Sequence, residues 1–111
     1  MIVKQYHAIP PLPGALAAQL TRTALTEGSC VRFEYDGKSR LAEPHAIGLS
    51  PKDGSLVMRA YLPGDDRPWR LFTLSKIEAM FIVDDITSEA PRAGYTPGDK
   101  QMAPVLVEIQ S

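Results

Sequence analysis

The chain has 111 residues, of which 44% are hydrophobic and 23% are charged, and its formal net charge is −1. This size and composition fit one globular domain with a modest core, and they exclude a fibrous or a disordered protein. The lysines and arginines form no run, which excludes an all-basic face for nucleic acid but leaves room for a small basic patch.

The N-terminal segment and the cysteine content indicate the compartment. Residues 1–14, MIVKQYHAIPPLPG, contain no long apolar stretch of the kind that exports a chain or spans a membrane. The single cysteine, Cys30, has no second cysteine in the chain with which to form a disulfide. We therefore expect a reduced, cytoplasmic protein that contacts no membrane.

Residues 14–28 are predicted to form an α-helix that follows a proline-rich lead-in at residues 1–13. The PPLP tetrapeptide of the lead-in is either a stiff connection to the helix or a polyproline ligand for a partner domain. The first interpretation is favoured, because such tetrapeptides are common. Apolar residues recur on one helical face at Leu16, Leu20 and Ala24, and Ala17 and Leu25 widen this stripe. Gly28 is placed to end the helix.

From residue 30 the apolar residues recur with a period of two, which predicts β-strands. CVRFEY and SRLAEPH form a hairpin around the turn at Asp36 and Gly37, and the second strand reaches an edge or an end at Pro44, since proline cannot donate to a ladder. SLVMRAYL, WRLFTL and KIEAMFIVDD are the next three strands. Five short strands with regularly spaced turns predict a mainly β domain, a bent five-stranded antiparallel barrel over residues 30–86 that the helix covers. The predicted core is Val31, Phe33, Leu41, Met58, Leu71, Leu74, Ile77 and Ile82.

Residues 87–111 complete a single domain that spans residues 1–111. SEAPRAGYTPGDKQMAP is rich in proline, glycine and charge and is predicted to be a loop, whereas the β-branched residues of VLVEI suit a strand. We expect VLVEI to pair with an exposed sheet edge, in its own barrel or in a second copy of the chain, which would make a homodimer.

Several motifs between residues 24 and 86 stand in the order found in one known family. They are VRFEYDGKSR, EPHAIGL, the strand that ends at Ala60 and Tyr61, and WRLFTLSKIEAM followed by VDD. In these motifs the chain resembles the WYL domain, a small SH3-like or Sm-like β-barrel found in bacterial transcriptional regulators. Residues 56–58, Leu-Val-Met, stand where the family has its Trp-Tyr-Leu triplet, and residues 75–77, Ser-Lys-Ile, where it usually has Asp-Arg-Ile.

The resemblance implies a non-catalytic regulatory module, without a cofactor, that senses single-stranded nucleic acid or a nucleotide-like ligand. WYL domains usually follow a DNA-binding winged helix, but residues 1–29 have room for one helix only, so we expect a free-standing WYL-like domain. Arginine and lysine neutralise phosphate, and a tyrosine or histidine ring can stack on a base. The residues that the resemblance places in or beside the binding pocket are Tyr35, Arg40, His45, Tyr61, Arg70 and Lys76, and Arg59 is a further candidate cation.

A second interpretation of these residues stays open. The two tyrosines would then be aromatics at the edge of the core, and Arg40 and Arg70 would be solvated strand residues paired with Glu34, Glu43 or Asp65. The protein would be a structural or protein-interaction module that assembles through its barrel edges and C-terminal strand without a ligand. We expect no catalytic or metal site at His45, because metal sites need three or four ligands and the two histidines and one cysteine are scattered along the chain.

Overall fold

The computed structural model describes residues 2–110, and of Ile2 it describes the backbone only. With 45% strand and 15% helix, it confirms the mainly β class. No helix in this part of the chain has the length and apolar character needed to cross a bilayer. The elements are β1 (Ile2–Gln5), α1 (Ala15–Glu27), β2 (Ser29–Tyr35), β3 (Lys38–Leu49), β4 (Leu56–Tyr61), β5 (Trp69–Thr73), a 3-10 helix (Leu74–Lys76), β6 (Glu78–Thr87) and β7 (Val105–Gln110).

The seven strands form an open antiparallel sheet, so the prediction of a closed five-stranded barrel is wrong. β3 is its centre, because its first half pairs with β2 and its second half pairs with both β4 and β7. β6 extends the sheet beyond β2, β5 extends it beyond β4, and β1 extends it beyond β7. Within residues 2–110, β5 and β6 each pair with a single strand, so no ladder closes the sheet on itself.

The predicted hairpin is confirmed, and its turn depends on a backbone that few residues adopt. Tyr35 pairs with Lys38, so Asp36 and Gly37 make a two-residue turn. Both turn residues have positive φ, 52° and 73°, as the tight turn that matches the twist of a hairpin requires.

β3 does not end at Pro44 but continues to Leu49, contrary to the prediction from the sequence. Its ladder with β4 shifts register between Pro44 and Ala46, which marks a β-bulge. A bulge is one of the few places in a sheet where a residue without an N–H is tolerated. The continuation carries residues 42–48 through the middle of the sheet, where all of them are buried.

The helix packs on the sheet with a different face from the one that its leucine spacing predicts. Leu16 is 85% exposed and Leu20 is 37% exposed, whereas Leu25 is buried as predicted. Thr21 is buried too, because its hydroxyl donates a hydrogen bond to the Ala17 carbonyl at 2.8 Å. The residues that face the core are Ala18, Thr21, Ala24 and Leu25.

Two glycines set the ends of α1 and its orientation. Gly14 precedes the helix with φ 89°, and a Cβ there would lie 2.6 Å from the Ser75 nitrogen. The start of the helix therefore lies in backbone contact with the 3-10 helix, which restricts how the helix can rotate on the sheet. Gly28 ends the helix, as predicted, in the left-handed conformation.

The core is divided between the two faces of the sheet. Val31, Phe33, Met58 and Leu74 are buried beneath α1 as predicted, whereas Leu41, Leu71, Ile77 and Ile82 are only half-buried. Leu71 belongs to a second, smaller cluster on the opposite face, formed around Ala46, Val57 and Met102. Residue 102 follows β6 by many positions, so the segment after β6 must cover this face.

The chain ends strengthen the sheet within one molecule. β1 lies in the lead-in at residues 1–13, where the sequence pattern indicates no strand. VLVEI forms the predicted strand β7, and it pairs with β1 on one edge and with β3 on the other. Dimerisation through β7 is therefore not supported, because both of its edges are occupied within the same chain.

Two leucines of α1 provide a test of its orientation. Leu25→Ala should lower the free energy of unfolding by about 2–5 kcal/mol, because it leaves a cavity under the helix. Leu16→Gln should change it by less than about 0.5 kcal/mol, because the side chain lies in solvent. Urea denaturation of both variants measures the two values, and equal losses would contradict this orientation.

Candidate functional site

The segment between β6 and β7, residues 88–104, is called here the C-terminal loop, and it covers one face of β3, β4 and β5. On this face Tyr61 of β4 lies opposite Trp69 of β5, and their rings meet edge to face with centroids 5.1 Å apart. Tyr95 of the loop lies nearly parallel to Trp69, with centroids 6.1 Å apart. Aromatic contacts therefore join the loop to the sheet.

A buried ion pair fastens the first part of the C-terminal loop. Glu43 of β3 is only 2% exposed. Arg92 donates to its carboxylate from Nε at 2.7 Å and from Nη2 at 3.1 Å, and the Glu89 backbone N–H donates at 2.9 Å. The Arg92 guanidinium also lies over the Tyr61 ring, 4.6 Å from its centre. The carboxylate is thus fully satisfied by groups of the loop.

His45 holds the same part of the loop through its ring nitrogens. Its Nε2 accepts a hydrogen bond from the Arg92 backbone N–H at 3.0 Å, so Nδ1 carries the proton and donates to the Glu43 carbonyl at 2.9 Å. The ring packs against Trp69 and Tyr95 and is inaccessible to solvent. Burial lowers the pKa of His45 below its ordinary value of 6.5. His45 is therefore a neutral structural residue.

A second buried carboxylate fastens the middle of the C-terminal loop. Glu108 of β7 is 2% exposed and accepts hydrogen bonds from the Tyr95 hydroxyl at 2.7 Å, the Tyr6 hydroxyl at 2.9 Å and the Gly98 N–H at 3.0 Å. Among residues 2–110, no cation lies within ion-pair distance of this carboxylate. Burial and the hydrogen bond to Glu108 raise the pKa of the Tyr95 hydroxyl.

Three of the predicted binding residues lie under this loop and are already engaged. His45 is buried, and the Tyr61 ring is covered by Arg92. The Arg59 Nε donates to Asp99 of the loop at 2.7 Å. These side chains hold the loop in place, so their prediction as residues of one binding pocket is not supported.

Arg40 and Arg70 line a groove of about 490 Å³ between the start of β3 and the turn after β4, called here the arginine groove. Arg70 is committed to the turn, because its Nε donates to the Arg67 carbonyl at 2.9 Å and its Nη2 lies 3.3 Å from Asp65. Arg40 makes one long contact, 3.4 Å from Nη2 to the Tyr35 carbonyl. Its buried Nε has no hydrogen-bond partner among the described residues. The other charged residues of the groove are Lys38, Asp65 and Asp66.

The two remaining candidates lie elsewhere. The Tyr35 hydroxyl accepts a hydrogen bond from the Thr73 N–H at 3.2 Å and its ring packs edge-on against Phe72, so it is an aromatic at the edge of the core. Lys76 is exposed on the 3-10 helix and does not line the arginine groove. The seven predicted residues therefore do not form a single surface.

The structure also shows a cleft of about 390 Å³ between β5 and the C-terminal loop, called here the aromatic cleft. Its loop residues are not among the binding candidates predicted from the sequence, because a polar loop is usually solvated. The available signal was that Tyr95 is the loop's one aromatic residue and Arg92 its one arginine. The main lining residues of the cleft are Arg59, Trp69, Gly94, Tyr95, Asp99 and Lys100.

No metal site emerges in the described part of the chain, where no three His, Cys, Asp or Glu side chains are grouped to hold an ion. Comparison with protein-family models, curated proteins and solved structures finds no match for this chain. The WYL resemblance remains an inference from the sequence motifs.

Loss of the buried ion pair should destabilise the protein and expose the C-terminal loop first. Arg92→Met should lower the free energy of unfolding by about 3 kcal/mol or more, because it leaves the Glu43 carboxylate buried without its cation. Amide hydrogen exchange should rise first in the C-terminal loop. Arg67→Met, at an exposed arginine without an ion pair in the described structure, is the matched control and should change little. Equal effects of the two substitutions would contradict the anchoring role.

The buried histidine predicts a pH dependence of stability. Because its pKa is lowered in the folded state, the unfolded chain binds a proton on this residue at higher pH than the folded chain does. The stability that depends on neutral His45 is complete above pH 6.5 and is lost as the pH falls from there towards the lower, folded pKa. His45→Gln should therefore make the fall of stability below this pH shallower than in the parent, as urea denaturation at a series of pH values would show. His7→Gln, at an exposed histidine, is the matched control substitution.

Proposed function

We propose that this protein is a non-catalytic binding module whose ligand presents phosphate groups, as a nucleotide or a single-stranded nucleic acid does. The observation that carries the proposal is the state of Arg40 in the arginine groove. Its guanidinium has no carboxylate within ion-pair distance among residues 2–110, and its Nε is buried without a partner. Arg40 Nη1 also makes no hydrogen bond with the described residues and, unlike Nε, is not buried, so a ligand acceptor in the groove would be favoured there.

The charges of the arginine groove favour an anionic ligand. Lys38, Arg40 and Arg70 face two carboxylates, and one of these, Asp65, is already paired with Arg70. Hydrogen bonds from the Arg67 N–H and from Arg70 lower the pKa of Asp65, with the backbone bond as the largest cause, so this carboxylate stays ionised and committed to the turn. Lys38 and Arg40 then outnumber Asp66, the one carboxylate left among the described residues of the groove. The remaining charge favours a phosphate, which a guanidinium can bind through two parallel hydrogen bonds.

The WYL resemblance supports the same ligand class and adds a biological setting. It covers residues 24–86, which include the whole arginine groove. On this basis we propose a role in transcription regulation in the bacterial cytoplasm. Because only two cations are available, affinity for an oligonucleotide should be modest.

A second candidate function is that of a structural or protein-interaction module without a ligand. The observation in its favour is that Arg59 and Arg70 are paired with carboxylates on different surfaces. Within the described residues β6 pairs with β2 alone, and Phe81 on this strand is 52% exposed. An unpaired strand edge with an exposed aromatic side chain is a template for pairing with another chain.

Salt dependence tests the proposed function. Each phosphate neutralised on a single strand contributes a slope of about −0.7 in log K against log salt, so two cations should give about −1.4. Lys38→Ala combined with Arg40→Ala should abolish most of this slope and weaken binding to all sequences alike. The matched control is Lys52→Ala combined with Lys76→Ala, which removes the same charge from exposed positions outside the groove.

Fluorescence anisotropy of a labelled oligonucleotide at several salt concentrations measures these slopes. A folded groove variant that binds as tightly as the parent would rule out the arginine groove as the site. If the parent itself binds no oligonucleotide or nucleotide and light scattering gives the mass of a dimer, the second candidate function gains support.

A further inference from the structure

We infer that the aromatic cleft is a second binding site, for a small planar aromatic ring that carries a negative charge. A nucleoside monophosphate is one molecule of this kind. None of the residues that line the arginine groove lines this cleft, so the inference stands independently of the proposed function. Much of its wall comes from the C-terminal loop, outside the residues that carry the WYL resemblance.

The aromatic cleft contains a rigid aromatic surface at Trp69. Trp69 is only half-buried, and the ring planes of Trp69 and Tyr95 differ by 29°. Behind Trp69, the rings of Tyr61 and His45 pack edge-on, at interplanar angles of 78° and 71°. The hydrogen bonds of Tyr95 to Glu108 and of His45 to the loop hold the neighbouring rings. Trp69 is therefore held ready for a ligand ring to stack on it, at little cost in side-chain entropy.

The cleft also contains a hydrogen-bond donor without a partner in the described structure. The indole N–H of Trp69 has no acceptor among the described residues within hydrogen-bond distance. Gly94 lies beside it, and a Cβ at this position would be 3.4 Å from the indole Nε1. The glycine therefore leaves the approach to the N–H free for an acceptor atom of a ligand.

The charged residues of the cleft favour an anionic ligand. Asp99 is the cleft's one carboxylate among its lining residues, and it is occupied by Arg59 and by the Gln101 backbone N–H. Lys100 is exposed and has no carboxylate partner in the described structure. The unpaired charge in the cleft is thus positive, which favours an anionic ligand over a cationic one.

The size of the cleft limits the ligand. A volume of about 390 Å³ lies at the low end of the range of small-molecule sites. The cleft therefore suits one ring system with one charged group, and not a folded oligonucleotide.

Fluorescence can test the inference directly, because Trp69 is the chain's single tryptophan. Adenosine monophosphate should quench its emission saturably. Adenosine, which lacks the charge, and ribose 5-phosphate, which lacks the ring, should each require about a fivefold or greater concentration for the same effect. Lys100→Ala should weaken the binding of adenosine monophosphate by a similar factor and leave that of adenosine unchanged.

Two alanine substitutions separate cleft filling from backbone strain. Gly94→Ala places a methyl group against the indole, whereas Gly98→Ala, in the same loop, carries a similar positive-φ strain with nothing within 4 Å of the new Cβ. Gly94→Ala should weaken binding by about fivefold more than Gly98→Ala does. Arg40→Ala should leave the titration unchanged, because this residue lies in the other groove.

Three results would overturn the inference. The first is a folded parent whose Trp69 emission does not respond to adenosine monophosphate. The second is equal quenching by adenosine monophosphate and adenosine. The third is loss of quenching in Arg40→Ala, which would assign the response to the arginine groove. The first two results leave the outcome of the oligonucleotide titrations open, whereas the third would support the arginine groove as a nucleotide site.

Discussion

The carboxylate of Glu43 is the group on which the arrangement of the second face of the sheet depends. It lies on β3, the central strand, and is almost completely buried. A buried carboxylate is costly unless hydrogen bonds and an opposite charge satisfy it. Its partners come from Arg92 and Glu89, so the C-terminal loop must lie against the sheet for the fold to be stable. A segment with the composition of a solvated linker therefore becomes part of the packed structure.

A buried carboxylate that accepts hydrogen bonds holds the loop at each of two points. Near its start the anchor is Glu43, and in its middle the anchor is Glu108, which accepts three hydrogen bonds. Near the end of the loop, Met102 packs closely against Gly48 of the sheet. A Cβ on Gly48 would lie 2.7 Å from the methionine side chain. Polar anchors and an apolar contact together hold a loop that has no regular secondary structure of its own.

This covering decides where a ligand can bind. His45 and Tyr61, which suit base contacts by residue type, are used to hold the loop and are closed to solvent or covered. Two of the concave surfaces that remain differ in their chemistry. The arginine groove offers charge without an exposed aromatic ring, and the aromatic cleft offers rings with one unpaired cation. The candidate functions follow from this separation of charge and stacking surface.

The sequence by itself determined the features that depend on neighbouring residues. Period-two patterning located five strands, and β-branched residues indicated β7. The Asp36–Gly37 turn defined a hairpin and Gly28 ended the helix, because backbone conformation and local alternation are properties of a few adjacent residues. The strand β1 escaped this approach, since a four-residue strand beside prolines has too little pattern of its own.

Only the tertiary structure decided which surfaces are buried and which residues meet. Arg92 binds a carboxylate 49 positions away in the chain, and a local sequence pattern does not predict such a contact. Leu16 lies outside although its spacing suits a core, because backbone contact at Gly14 orients the helix. The candidate binding residues were chosen by type and order, but their separation into a groove, a buried anchor and a cleft depends on the path of the loop. That path is set by the need to satisfy two buried carboxylates, which is an energetic condition on the whole fold and not on any one segment.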